Sequence, residues 1–289
     1  MVNRDAHVPE DQAAGLGVCE PYTESDTILS GRSGESEASM NKRARRKGRA
    51  ERMWKPFKVH LTEKAQYISR NFFYQLAHYA LTWTVFPVMY LVLWVRWGFR
   101  VHGRRNLRSL RGRSAVTVSN HIHDVDSVMI TAPLWPMTPY VVARKHIVEI
   151  LMIGPFNWLL GAVPLPEDLK NLARFQRAMK DFLMRTHKKL HVFPEGEIAP
   201  YSRELRAFGN GAFRIALDSG VPVVPMVFVS PAPGRVELMV GRRIELSDVP
   251  GLADESLAMS RKARILNSYT KARMQEMLDE YYGTQNAVG

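Results

Sequence analysis

From residue 71 to residue 95 the chain runs twenty-five residues without a formal charge, closed off by Arg70 on one side and Arg96 on the other. A stretch this long and apolar must leave water, and its length matches the hydrocarbon thickness of a bilayer. Its interior complicates a plain span. Asn71, Gln75 and His78 are costly in hydrocarbon, Pro87 removes a helical hydrogen bond at mid-segment, and Trp83, Tyr90, Trp94 and Trp97 favour the lipid–water boundary. The segment is therefore expected to be a hydrophobic, membrane-associating helix, with a full span and a kinked monotopic anchor both open. A buried core helix is the bland alternative, although such helices are usually shorter and amphipathic.

Charge is distributed unevenly around this segment. The net charge of +12 conceals an acidic head: residues 1–39 carry Asp5, Glu10, Asp11, Glu20, Glu24, Asp26, Glu35 and Glu37 against Arg4 and Arg32, a balance of −6 that leaves +18 for the rest. Polar, rich in Gly and Ser and without periodicity, residues 1–40 are expected to be disordered, and Met40 is a candidate for the true start. A basic juxtamembrane segment over 41–70 follows, opening with Lys42, Arg43, Arg45, Arg46, Lys47 and Arg49, and its charges suit an anionic membrane surface. A nucleic-acid arm or a solvated tail fits the same charges, but beside an apolar segment no nucleic-acid partner is expected. The anchor is assigned to 71–97 and a single catalytic domain to 98–283.

Cys19 is the sole cysteine, so no intramolecular disulfide or cysteine-rich zinc site can form. The start lacks the basic-then-apolar pattern of a secretory signal, and the catalytic part is expected to be membrane-associated and to face the cytoplasm.

Beyond Ser114, short apolar runs rich in β-formers alternate with helical patterns. Residues 115–118, 140–142, 190–193 and 221–228 read as buried strands. Leu169, Leu172, Phe175, Met179 and Phe182 recur at helical spacing, and residues 257–281 form a charged amphipathic helix. Such alternation implies an α/β fold, a mostly parallel central sheet covered by helices. No internal repeat is present. The phosphate-loop pattern Gly-x4-Gly-Lys-Ser/Thr is absent, and Gly209-x-Gly211 alone is too weak to imply a dinucleotide.

Two short stretches carry the candidate chemistry. Asn120-His121-Ile122-His123-Asp124-Val125-Asp126-Ser127 places a histidine just after a predicted strand, where open α/β sheets bind their ligands, with a carboxylate five positions on. A neutral imidazole can take a proton from an attacking hydroxyl, and a carboxylate on its other nitrogen fixes the tautomer. Phe193-Pro194-Glu195-Gly196 offers a second carboxylate in a stiff turn. His123 and Asp124 are expected to cap the following helix or face solvent.

Asn120-His121 followed by Asp126-Ser127 resembles the first block of the glycerolipid acyltransferases, the group that includes lysophosphatidate acyltransferase, and Phe193-Pro194-Glu195-Gly196 resembles the third. Val101-x-Gly103-x-x-Asn106-Leu107, Gly161-Ala162-Val163-Pro164-Leu165 and Val221-Pro222-Val223-Val224-Pro225 are similar to flanking, second and fourth blocks. The resemblance covers about residues 100–245. It implies acyl transfer from acyl-CoA or acyl carrier protein to a lysophospholipid-like acceptor in phospholipid biosynthesis, with His121 as general base, Asp126 behind it, and no metal or organic cofactor. It further implies that Glu195 and Gly196 shape the acceptor pocket. Arg144 and Lys145, past a predicted strand, and Arg203 and Arg206 are candidates for binding anionic groups. The amides of residues 221–225 are candidate donors to the tetrahedral oxyanion.

Two positions depart from the family pattern. Pro166 and Glu167 stand where the second block usually ends in an arginine, and Glu197-Ile198 where the third usually continues Thr-Arg. Two other readings stay open. His121-x-His123 with Asp124 and Asp126 is similar to the His-x-His-x-Asp-His run of metallo-β-lactamase-like hydrolases, out of register at Val125 and Asp126, with His187 and His191 as distant ligands. A non-catalytic protein binding a membrane or an anionic ligand is the other.

Overall fold

The computed structural model describes residues 67–69, 71–144 and 154–286. The acidic head, the basic segment apart from residues 67–69, and Lys145 lie outside the described residues.

Asn71 starts the first helix, α1 (Phe72–Trp97). Its side-chain oxygen accepts the Phe73 amide at 2.9 Å, satisfying a donor that a helix start leaves open. Pro87 lies within the helix, and Gly98 closes it in the left-handed conformation. By length and composition α1 is apolar enough to cross a membrane.

Seven strands form one sheet: β1 (Arg100–His102), β2 (Ala115–Ser119), β3 (Tyr140–Arg144), β4 (Ala162–Leu165), β5 (Lys189–Val192), β6 (Val223–Val229) and β7 (Glu237–Val240), in the order β1-β7-β6-β2-β5-β3-β4. The five from β6 to β4 are parallel, β7 returns antiparallel to β6, and β1 runs parallel to β7. Every residue of β2 and β6 is buried, as expected for interior strands covered on both faces. Pro164 is tolerated because β4 is an edge.

Helices cover both faces. Over one lie α5 (Leu169–Arg185), α6 (Gly211–Ser219) and α7 (Met259–Asn286), packing Phe175, Met179, Phe213, Leu266 and Met274 against Val116, Val118 and Leu190. Over the other, α1, the 3₁₀ turn Arg104–Leu110 and the short helices α2 (Asp126–Met129) and α3 (Thr131–Leu134) pack Leu93, Leu107, Met129 and Leu134 against Val224, Met226 and Phe228. A further short helix, α4 (Gly154–Leu159), precedes β4. The loop after β1 is tied to β7, for Asn106 Nδ2 donates to the Val240 carbonyl at 2.9 Å. Gly103, at φ +73°, is required there: a Cβ would stand 2.3 Å from that same oxygen.

Candidate active site

The last residue before His121 is a clamp. Asn120 Oδ1 accepts the Phe228 amide at 2.7 Å and Nδ2 donates to the Phe228 carbonyl at 2.9 Å, pinning the end of β2 to β6. His121 therefore leaves the sheet from a fixed point at its carboxyl edge. The chain then turns into α2, whose first residue, Asp126, is fully buried. Asp126 Oδ2 accepts the amides of Ile122 at 2.7 Å and His123 at 2.9 Å, and lies 3.0 Å from His121 Nδ1. With the carboxylate acting as acceptor, Nδ1 is the donor and Nε2 is left as the basic nitrogen. Burial pushes the Asp126 carboxyl up, while the imidazole and the two amides pull it back. Asp126 Oδ1 is buried without a protein partner.

Asp124 does not cap the next helix. It is exposed, and Val125 occupies the cap position without a side-chain bond. His123 instead accepts the Val125 amide at 3.3 Å and packs edge-on against Trp97 and Tyr201.

The second stretch lies one strand over. Gly196, at φ +72°, closes a turn in which its amide donates to the Phe193 carbonyl at 3.1 Å. The Phe193 ring stacks on the His121 imidazole, with centroids 4.1 Å apart and planes 19° from parallel. Behind Phe193 sits His191, buried, with Nδ1 2.9 Å from Thr117 Oγ1 and Nε2 3.3 Å from Ser119 Oγ. Burial pushes His191 down to about 3, and the nearby His121 adds to this. It is engaged inside the sheet rather than poised as a ligand, His187 is exposed, and among the described residues no three metal-ligating side chains converge.

Glu195 is half-buried. Its Oε1 accepts the Arg206 amide at 3.2 Å, and its Oε2 reaches the His121 amide only at 3.5 Å. Burial raises its carboxyl, against these bonds. Arg144 Nη2 donates to the Gly196 carbonyl at 2.7 Å and lies 3.3 Å from Glu197, which Arg206 approaches at 3.4 Å. Hydrogen bonds from the two arginines hold the Glu197 carboxyl below its ordinary range. The structure thus gathers Glu195, Gly196, Arg144 and Arg206 beside His121 and Asp126. Arg203 is turned to α7, over the Tyr282 ring. The segment is laced to the first block, with the Ala199 amide on the His121 carbonyl at 2.7 Å and the Tyr201 amide on that of Ile122 at 3.2 Å.

Residues 221–225 are not beside His121. Val223 pairs with Val116 and Pro225 with Val118, at the amino end of the sheet, whereas His121 lies beyond the pairing of Ser119 with Met226. Parallel register carries that block to the edge away from the histidine, so its amides cannot serve an oxyanion there. Surface cavities of about 660 Å³ around Arg264 and Tyr269 and about 480 Å³ around Gln75 and Phe182 do not have His121 among their lining residues; the hydrogen-bond chemistry marks the site.

Residues 98–229 match the family called Acyltransferase. The chain is 30% identical over 116 residues, 39% of its length and 47% of the relative's, to a 1-acyl-sn-glycerol-3-phosphate acyltransferase of Haemophilus influenzae. It is 26% identical over 187 residues, 63% and 74% respectively, to the protein of that name from Salmonella typhimurium. Against the human 1-acyl-sn-glycerol-3-phosphate acyltransferase beta, identity is 27% over 46% and 48% of the two chains. The chain thus spans about half the length of the Haemophilus and human relatives. A crystal structure of the 1-acyl-sn-glycerophosphate (LPA) acyltransferase PlsC from Thermotoga maritima shares the fold, with a TM-score of 0.50 at 17% identity over 72% of this chain and 79% of that one.

Proposed function

Because the chain belongs to the glycerolipid acyltransferase family, we propose that it transfers a fatty acyl group to the hydroxyl of a lysophospholipid-like acceptor. The observation that carries this reading is the His121–Asp126 pair at the carboxyl edge of the sheet, with Nδ1 engaged at 3.0 Å. Nε2 takes the acceptor hydroxyl's proton as its oxygen attacks the thioester carbonyl of acyl-CoA or acyl carrier protein. The tetrahedral intermediate collapses, the carbon–sulfur bond breaks, and the thiolate recovers the proton from the imidazolium. Asp126 stabilises that imidazolium, and no acyl-enzyme forms. Glu195 and Gly196 shape the acceptor side, with Arg144 and Arg206 at its rim; Lys145 and Arg203 remain candidates for anionic groups. The apolar face of α1, with Phe72, Phe73, Trp83, Leu91 and Trp94 exposed, holds the site against an anionic membrane surface on the cytoplasmic side.

The test is transfer from labelled acyl-CoA or acyl carrier protein to a lysolipid panel by detergent-purified protein, with products resolved by mass spectrometry. His121→Ala is expected to lose transfer by about 10²–10⁴-fold. Asp126→Asn is expected to fall in the same range with acceptor KM little changed, because the amide turns an N–H toward Nδ1 and imposes the wrong tautomer. A folded His121→Ala protein that retains substantial transfer overturns the mechanism.

A further inference from the structure

Arg144 and Arg206 come from separate segments, the end of β3 and the loop before α6, yet both guanidinium groups turn to one carboxylate. Glu197 Oε1 lies 3.3 Å from Arg144 Nη2, and Glu197 Oε2 lies 3.4 Å from Arg206 Nη2. The cluster is joined to His121 through the backbone: Arg144 holds the Gly196 carbonyl, and Glu195, the next residue back, reaches the His121 amide and accepts that of Arg206. The side chains are 53%, 46% and 59% exposed for Arg144, Arg206 and Glu197, so an arriving head group can touch all three.

Two arginines facing one point make a natural fork for a phosphate. Here a carboxylate of the protein already occupies it. The neighbouring strand adds no cation: Arg144 pairs in register with Leu165, after which the chain continues through buried Pro166 to exposed Glu167.

We propose that Glu197 is a head-group selector, disfavouring acceptors that end in a phosphomonoester and favouring lysolipids whose head carries a cation beside its anion. The proposal rests on the acyltransferase reading above. A phosphomonoester brings a charge of about −1.5 to −2 near neutrality. To reach the arginines it must displace a carboxylate that already neutralises them, or lie beside it and be repelled. A zwitterionic head meets neither obstacle, since its anion lies against Arg144 and Arg206 while its cation lies against Glu197. Glu197 acts on selection alone and has no part in proton transfer.

The experiment compares full-length wild type with Glu197→Gln, which keeps the shape but removes the charge and turns one of the two acceptors facing the arginines into a donor, and with Glu197→Asp. One arm measures equilibrium binding of glycerol 3-phosphate and of glycerophosphoethanolamine; the other measures kcat/KM for the corresponding lysolipids. Glu197→Gln is expected to favour the phosphomonoester about fivefold and to weaken the zwitterion about as much, shifting the ratio about twenty-five-fold, while Glu197→Asp keeps the wild-type order. An unchanged binding ratio in Glu197→Gln overturns the selector. A shifted binding ratio without acylation of either lysolipid upholds charge selection and overturns the acyltransferase reading instead.

Discussion

Two imidazoles share the Phe193 ring and differ in what surrounds them. His121 meets the ring face and has a carboxylate on Nδ1; His191 meets it edge-on and has only the hydroxyls of Thr117 and Ser119. Buried without a counter-charge, His191 falls from its ordinary 6.5 to about 3 and is neutral at working pH, so no second positive charge stands behind His121. Between these two values the unfolded chain binds a proton that the folded chain refuses. Stability therefore falls as pH drops through that window, by about 1.4 kcal/mol per unit. Asp126 contributes with the opposite sign, since its raised carboxyl stabilises below its ordinary value and loses that contribution as pH rises. Comparing wild type with His191→Gln cancels the Asp126 part. In urea denaturation from pH 4.5 to 6.5, the variant's stability should be less steep in pH by about 1 kcal/mol per unit; equal slopes refute the assignment. The spacing of His121 and Asp126 was legible in the sequence because the contact is local. The role of His191 was not, for it depends on which strand lies beside β5.

At the scale of elements, the four adjoining strands from β6 to β3 were legible and the outlying β1, β7 and β4 were not. Residues 140–142 and 221–228 are uninterrupted apolar runs, 115–118 and 190–193 are broken only by Thr117 and His191, and each corresponds within two residues or so to β2, β3, β5 or β6. β1, β4 and β7 are short and carry Arg100 and His102, Pro164, or Glu237 within them, so they become strands by pairing. The block 221–225 was misplaced for a related reason, since a linear reading locates a strand without saying which end meets the histidine. Gly103 now has a function of its own, letting the loop after β1 pass against Val240. Gly103→Ala should cost about 2–4 kcal/mol, combining left-handed strain with a clash against fixed backbone. Gly196→Ala meets no atom within 4 Å and should cost only the strain, about 1–2 kcal/mol. Thermal unfolding of the pair tests this, and equal losses would show that the loop yields at Gly103.

For the molecule as a whole, α1 decides how the chain meets a membrane. The sequence left a span and an in-plane anchor equally open. The helix is about 39 Å long, enough to cross about 30 Å of hydrocarbon. Yet it is bound to the domain along its whole length: Tyr74 against Trp158, His78 against Tyr140, Trp83 against Trp135, Tyr90 against Phe99 and Trp97 against His123. Were α1 to span, those partners would follow it into lipid. Arg104, which donates to the Trp135 carbonyl, and the exposed ladder edge of β4 would then sit at hydrocarbon depth without water. The opposite face presents Phe73, Leu76, Val88, Leu91, Trp94 and Val95, a stripe suited to lying in one leaflet. Both ends of α1 should therefore stay on the same side of the bilayer. In a Cys19→Ser background, a membrane-impermeant thiol reagent should label Ser69→Cys and Arg100→Cys alike in membrane vesicles of uniform orientation. Protection of one position until detergent is added would mean that α1 crosses, and that it leaves its packing on the domain to do so.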